Sequence, residues 1–224
     1  MNRENKKAKH SKIRIFNSII TILLIAGIVF LVVIVLQNFV KKDNGKTEEK
    51  VVDEITTFNY TVGENDTKLF KDTFNDLKKV LKEKEVDNEK YAEIMSKLFV
   101  IDFFSLNNKT SKNDIGGVQF VYSGYKTDFV EYARNCIYKQ VSNNLDRKKD
   151  QKLPLVDSVE VSSITKVSPS SIFKREELAS DTEEDAYEVN ISWTYKNDDD
   201  FQTSSTLTIV KDGSNLSVAK MTDR

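Results

Sequence analysis

One carboxylate, Asp102, stands inside the apolar run Leu98-Phe99-Val100-Ile101-Asp102-Phe103-Phe104-Ser105-Leu106. Two chemistries suit an acid in that setting. Desolvation raises a carboxyl pKa toward neutrality and makes a general base of it. Such a base needs a second group to hold the charge that develops on the substrate. The phenols of Tyr91, Tyr122, Tyr125 and Tyr132 are the available donors, with Trp193 as a further pocket candidate, and their spacing selects none of them. The other chemistry is structural. Asp102 lies just before Asn107-Asn108-Lys109-Thr110-Ser111-Lys112-Asn113-Asp114-Ile115-Gly116-Gly117, a loop whose backbone N–H groups need acceptors. A charged carboxylate accepting such bonds pins a loop. The loop-organising role is the favoured one.

The remaining reactive residue types are sparse. His10 is the single histidine and lies in a basic N-terminal arm, so no Ser–His–Asp or Cys–His arrangement is expected in the folded part. Cys136, the single cysteine, falls on the apolar face of a predicted helix and reads as a packing residue. With one cysteine there is no intrachain disulfide framework, and a His/Cys zinc site is excluded. Gly116-Gly117 leads into Val118-Gln119-Phe120-Val121-Tyr122, not into a helix with a phosphate-binding lysine, so it marks a turn of unusual backbone angles. Asp198-Asp199-Asp200 reads as a solvated hairpin tip, because calcium needs more oxygens at set spacing and a glycine in the loop. These readings predict a chain that is not an enzyme and holds no cofactor or metal.

The elements that must position these residues show two periods. Phe70, Phe74, Leu77 and Leu81 recur at helical spacing after an Asn65-Asp66-Thr67 cap, predicting an amphipathic helix of about five turns. Asp87 or Asn88 caps a second helix, whose stripe of Tyr91, Ile94, Met95 and Leu98 broadens until its end is apolar nearly all round. Residues 118–122 form either a brief strand or a buried loop. A third helix places Phe129, Tyr132, Ala133, Cys136, Ile137 and Val141 on one face. Beyond about residue 152 the period becomes two. Tyr187, Val189, Ile191, Trp193 and Tyr195 alternate with Glu188, Asn190, Ser192 and Thr194, as in a half-buried antiparallel strand. Four strands are expected, with turns at Asn197–Asp200 and Asp212-Gly213. A long, partly acidic excursion over 168–185 separates the first two. Helices first and strands afterwards predict an α+β domain, helices on one face of a curved antiparallel sheet.

The start of the chain has a different character. Residues 1–14 carry six basic side chains against Glu4, a net +5, which leaves −6 for the rest. From Ile15 to Val40 no residue is charged, and as a helix this run extends roughly 39 Å. About 20 apolar residues cross a bilayer. A cleavable signal peptide has a shorter apolar region and small residues at its cleavage site, and Leu36-Gln37-Asn38-Phe39-Val40 supplies none. The expectation is a basic cytoplasmic tail over 1–14, a transmembrane helix over 15–40, a stalk over 41–64 and an extracytoplasmic domain over 65–224. The lysines after the span reduce the charge bias that sets this orientation. The near-neutral total gives no reason to expect nucleic acid as a partner.

Three helices followed by a four-stranded meander resemble the cone-shaped nuclear-transport-factor-2-like fold. With a single N-terminal anchor and short cytoplasmic tail, the layout resembles the bitopic assembly factors of type IV secretion and conjugation machines, the VirB-eight family. The stretch Phe103-Phe104-Ser105-Leu106 through Ile115-Gly116-Gly117-Val118 and on to Tyr125 is in keeping with it. That resemblance implies a non-catalytic scaffold in the cell membrane, self-associating and contacting other membrane or envelope proteins. Two alternatives stand beside it: an extracytoplasmic binder of a small apolar ligand in the cone's mouth, and a cofactor-free enzyme using Asp102. The 168–185 excursion and an exposed sheet edge are the candidate contact surfaces.

Overall fold

A computed structural model describes residues 49–148, 151–168, 186–196 and 201–223. The basic tail, the apolar run 15–40, most of the 168–185 excursion and the turn at 197–200 lie outside the described residues. Among the described residues no helix is long and apolar enough to cross a membrane.

The fold is α+β, three helices with antiparallel sheets. Strands β1 (Val51–Ile55) and β2 (Tyr60–Gly63) pair as a hairpin. Helices α1 (Lys68–Leu81), α2 (Asn88–Phe104) and α3 (Lys126–Asn135) follow. Strands β3 (Val156–Val167), β4 (Ala186–Tyr195), β5 (Ser204–Asp212) and β6 (Asn215–Asp223) then form a sheet in sequential order.

The first two helices begin at side-chain caps. The Thr67 hydroxyl accepts from the Phe70 amide at 3.1 Å, and the Asp87 carboxylate from the Lys90 amide at 3.0 Å. Phe70, Phe74 and Leu77 turn one face of α1 inward. α1 ends at Leu81, a turn short of the expectation, because Lys82–Glu85 present nothing apolar to the core. α2 is the central element: it packs on α1 and on all four strands of the sheet. From Leu98 to Phe104 every side chain except Asp102 is buried, which explains its all-round apolar end.

On the sheet, Val189, Ile191 and Trp193 are buried in the core, with Leu207 opposite Val189 and Ile209 opposite Tyr187 on β5. The Trp193 ring lies 4.5 Å from Phe104, the contact that joins α2 to the middle of the sheet. Gly213, at φ 66, takes the first central position of the two-residue turn between Asp212 and Asn215, the position where a type II′ turn needs glycine.

Three expectations change. Residues 51–63 belong to the folded body and are not a stalk: Tyr60 and Val62 are buried in the core, and alternation over so short a strand gives a weak signal in polar surroundings. Residues 118–122 are neither a regular strand nor a plain loop. A 3₁₀ turn over Val118–Phe120 leads into Val121, which bridges in parallel to Val218 at the edge of β6. Cys136 is exposed, not a packing residue. α3 stops at Asn135 with Cys136 as its C-cap, the Cys136 amide still bonded to the Tyr132 carbonyl, and the 3₁₀ turn that follows brings Tyr138 to the buried position. Tyr132, expected on the apolar face, lies within α3 but beside the inward face that Ala133 occupies, and is 63 % exposed.

Candidate functional site

Asp102 lies near the end of α2 with its carboxylate committed on both oxygens. Oδ1 is 2.5 Å from the Lys109 ammonium, and Oδ2 accepts from the Gly117 amide at 2.7 Å. The two glycines are required by this contact. A Cβ at Gly116 would stand 2.1 Å from the Asp102 carbonyl oxygen, and Gly117 has φ +76, in the left-handed region. The pair therefore lets the loop backbone settle directly on the helix end. Asp102 thus ties the 107–117 loop to the helix end through the buried Lys109 ammonium as well as the Gly117 amide.

Tyr138 completes the closure. Its hydroxyl donates to the Phe103 carbonyl at 2.7 Å and accepts from the Gly116 amide at 3.0 Å. One otherwise orphaned carbonyl at the C-terminus of α2 is thereby satisfied. Burial pushes the Tyr138 pKa up from its ordinary value. Farther along the loop, the Gln151 amide donates to the Lys109 carbonyl at 2.9 Å and its oxygen accepts from the Ser142 amide at 3.0 Å. Asp114 accepts from both the amide and the hydroxyl of Thr110, at 2.9 and 3.0 Å.

Lys109 is only 6 % exposed. Burial works against its ammonium, but the surrounding Asp102, Tyr138 and Asp114 outweigh that penalty and hold its pKa above the ordinary value. It is a fixed cation and not an amine poised for nucleophilic attack. Asp66 lies within the influence of the same pair. Burial, reinforced by the Asp102 charge, pushes its pKa up to about 6, against the opposing pull of the Gly63 amide and Lys109. Its Oδ2 accepts from Gly63 at 2.7 Å, tying the end of β2 to the cap of α1.

The other residues singled out in the sequence do not converge on Asp102. Tyr91 is buried and belongs to a separate ring of bonds. Its hydroxyl accepts from the Leu216 amide at 3.2 Å and lies 2.7 Å from the Tyr60 hydroxyl, which donates to the Leu216 carbonyl at 3.1 Å. Because Tyr60 spends its proton on that carbonyl, Tyr91 is the donor between the two phenols. Burial raises both phenol pKa values. Tyr122 and Tyr125 form an edge-to-face pair at 5.4 Å over the small apolar cluster of Ala186 and Val210. Tyr132 faces solvent, and the Trp193 indole donates to the Tyr195 hydroxyl at 2.8 Å.

Sequence reasoning missed Lys109, Tyr138 and Asp66. Lys109 sits in a polar run where nothing distinguishes it from the other lysines. The usable signal was the combination of an acid in an apolar helix end with a glycine pair a turn-length loop away.

A cavity of about 220 Å³ opens beside this loop. Thr110 and Asp114 form one side of it, Glu49, Lys50, Glu64 and Asn65 a second, and Leu145 with Arg147 a third. Its lining is charged, unlike the apolar mouth that a greasy ligand requires. Among the described residues no group of three or more His, Cys, Asp and Glu side chains is arranged to hold a metal ion. No protein-family model, no curated protein and no solved structure matches the chain.

Proposed function

We propose that the chain is a single-pass membrane protein whose α+β body is an extracytoplasmic interaction module of an envelope-spanning assembly. The observation that carries the reading is the uncharged run from Ile15 to Val40 behind a basic arm, long enough to cross a bilayer. The charge bias supports a cytoplasmic N-terminus and a body outside. In this reading the body has the nuclear-transport-factor-2-like fold, supported by its order of helices first and a sequential four-stranded meander afterwards. The resemblance to conjugation and type IV secretion assembly factors supplies the biological setting.

A scaffold role, in preference to catalysis, is supported by the state of Asp102. A base must be within reach of a substrate proton, whereas both oxygens of this carboxylate are engaged, by Lys109 and Gly117. β3 is the edge offered to a partner. On the opposite edge, β6 is covered at Leu216 and Val218 by Tyr60, Tyr91 and the 121–122 segment, with the Tyr122 amide donating to the Val218 carbonyl at 2.9 Å. Among the described strands β3 pairs with β4 alone. Its register shifts at Val156/Ser158 and Val161/Ser163 limit casual pairing along its length.

The test is crosslinking in intact cells followed by purification of the full-length chain in detergent. The reading expects crosslinked envelope partners or a second copy, lost when Val161→Pro blocks the β3 edge. A chain that remains uncrosslinked and monomeric at all concentrations contradicts it.

A further inference from the structure

The geometry points to a binding site for a zwitterionic small molecule, an α-amino acid with an apolar side chain, in the cavity between the β1–β2 hairpin and the 110–114 loop. This goes beyond the scaffold reading and does not depend on it.

The walls of the cavity are held before any ligand arrives. The hairpin sets Lys50 and Glu64 side by side, with the Glu64 amide donating to the Lys50 carbonyl at 2.9 Å. Thr110 and Asp114 are locked to one another and belong to the loop that Asp102 and Lys109 pin. Pre-set walls reduce the ordering cost of binding.

Arg147 is the unusual member. It holds φ 52, a left-handed conformation that a long side chain rarely adopts. Its amide donates to the Asn144 carbonyl and one guanidinium nitrogen to the Asn108 carbonyl, both at 2.9 Å. The backbone is thus kept in an unfavourable region while the guanidinium stays at the cavity with further N–H groups to offer. Local strain of this kind is a mark of binding sites.

The charges then select the ligand. Glu49 and Asp114 are held in place by the Asn65 amide and by Thr110 and keep their charges. Glu64 and Lys50 share the cavity, yet among the described residues no ion pair joins them to each other or to anything else. A lining that mixes three carboxylates with two cations, Lys50 and Arg147, fits a molecule that carries an ammonium and a carboxylate together. Arg147 forks onto the carboxylate and Glu64 accepts from the ammonium. Leu145, 49 % exposed at the rim, gives an apolar side chain its contact. The volume lies below the roughly 300–1,000 Å³ of drug-sized sites, in keeping with a small metabolite.

Isothermal titration of the full-length protein with L-leucine tests the site, with L-leucinamide and 4-methylpentanoate as analogues lacking one charge each. Saturable leucine binding is expected, weakened at least tenfold for both analogues. Glu64→Gln and Arg147→Gln are each expected to weaken leucine at least tenfold. Glu64 is exposed, so its variant keeps the thermal midpoint of the parent and separates lost binding from lost folding. Absence of saturable leucine binding overturns the proposal, and so does equal binding of the singly charged analogues.

Discussion

The Asp102 carboxylate stands 2.5 Å from the Lys109 ammonium, seven residues further along the chain, and the same acid accepts from Gly117 at 2.7 Å. One side chain therefore fastens both ends of a loop to the end of the central helix. Its role follows from occupancy: a carboxylate with both oxygens engaged beneath a loop is a structural anchor.

Breaking that pair leaves a buried charge uncompensated, which costs about 3–5 kcal/mol. We predict that Asp102→Asn and Lys109→Met each lower stability by about 3 kcal/mol in urea unfolding. The double variant should lose less than the sum, because neither charge then remains alone. Additive losses would show that the two groups are not coupled.

The two phenols over β6 make a second prediction. Tyr91→Phe strips the Leu216 amide of its acceptor in a buried setting, where an unmet N–H costs about 1–3 kcal/mol. Tyr60→Phe leaves the Leu216 carbonyl unmet and removes the acceptor of the Tyr91 proton. Hydrogen exchange should accelerate at Leu216 in Tyr91→Phe. Unchanged protection there would contradict the assigned bond.

Asp66 sets a pH dependence of definite sign. Its pKa in the folded chain is raised to about 6 from an ordinary 3.8. A raised acid binds its proton more tightly when folded, so this contribution is fully present below pH 3.8 and is lost as pH rises through about 6. Above that point the fold carries a second, partly buried carboxylate charge that Asp102 repels. Asp66→Asn keeps an acceptor for Gly63 and removes the charge. It should stabilise the protein at pH 7.5 by roughly 1–2 kcal/mol and flatten the slope between pH 4 and 6. Urea midpoints across that range provide the measurement; a variant less stable than the parent at pH 7.5 contradicts the assignment.

What the sequence revealed of this fold follows the length of each pattern. β4 occupies the stretch that alternation marks, because ten residues repeat the period and fix the buried face, whereas bulges break the period of β3 and only its β-branched composition marks it. β2 has four residues and two inward side chains, Tyr60 and Val62, too few to stand out from charged neighbours. Cys136 was misplaced by extending a helical phase one residue past a terminus that only tertiary packing of Tyr138 determines. At the site, Asp102 and the glycine pair were readable because each is anomalous in its surroundings. Lys109 was not, since its burial depends on a loop path that no local periodicity encodes.

The exposed Cys136 gives the most direct test of the central claim, that a bilayer anchor holds this body outside the cytoplasm. As the chain's single cysteine, it reports by itself where the domain lies. Intact cells producing the full-length protein are treated with a membrane-impermeant maleimide, and the membrane fraction is then assayed for label. The account predicts Cys136 labelled before lysis, on a protein released from membranes only by detergent. Label that appears only after lysis, or full-length protein recovered in the aqueous fraction, would contradict it.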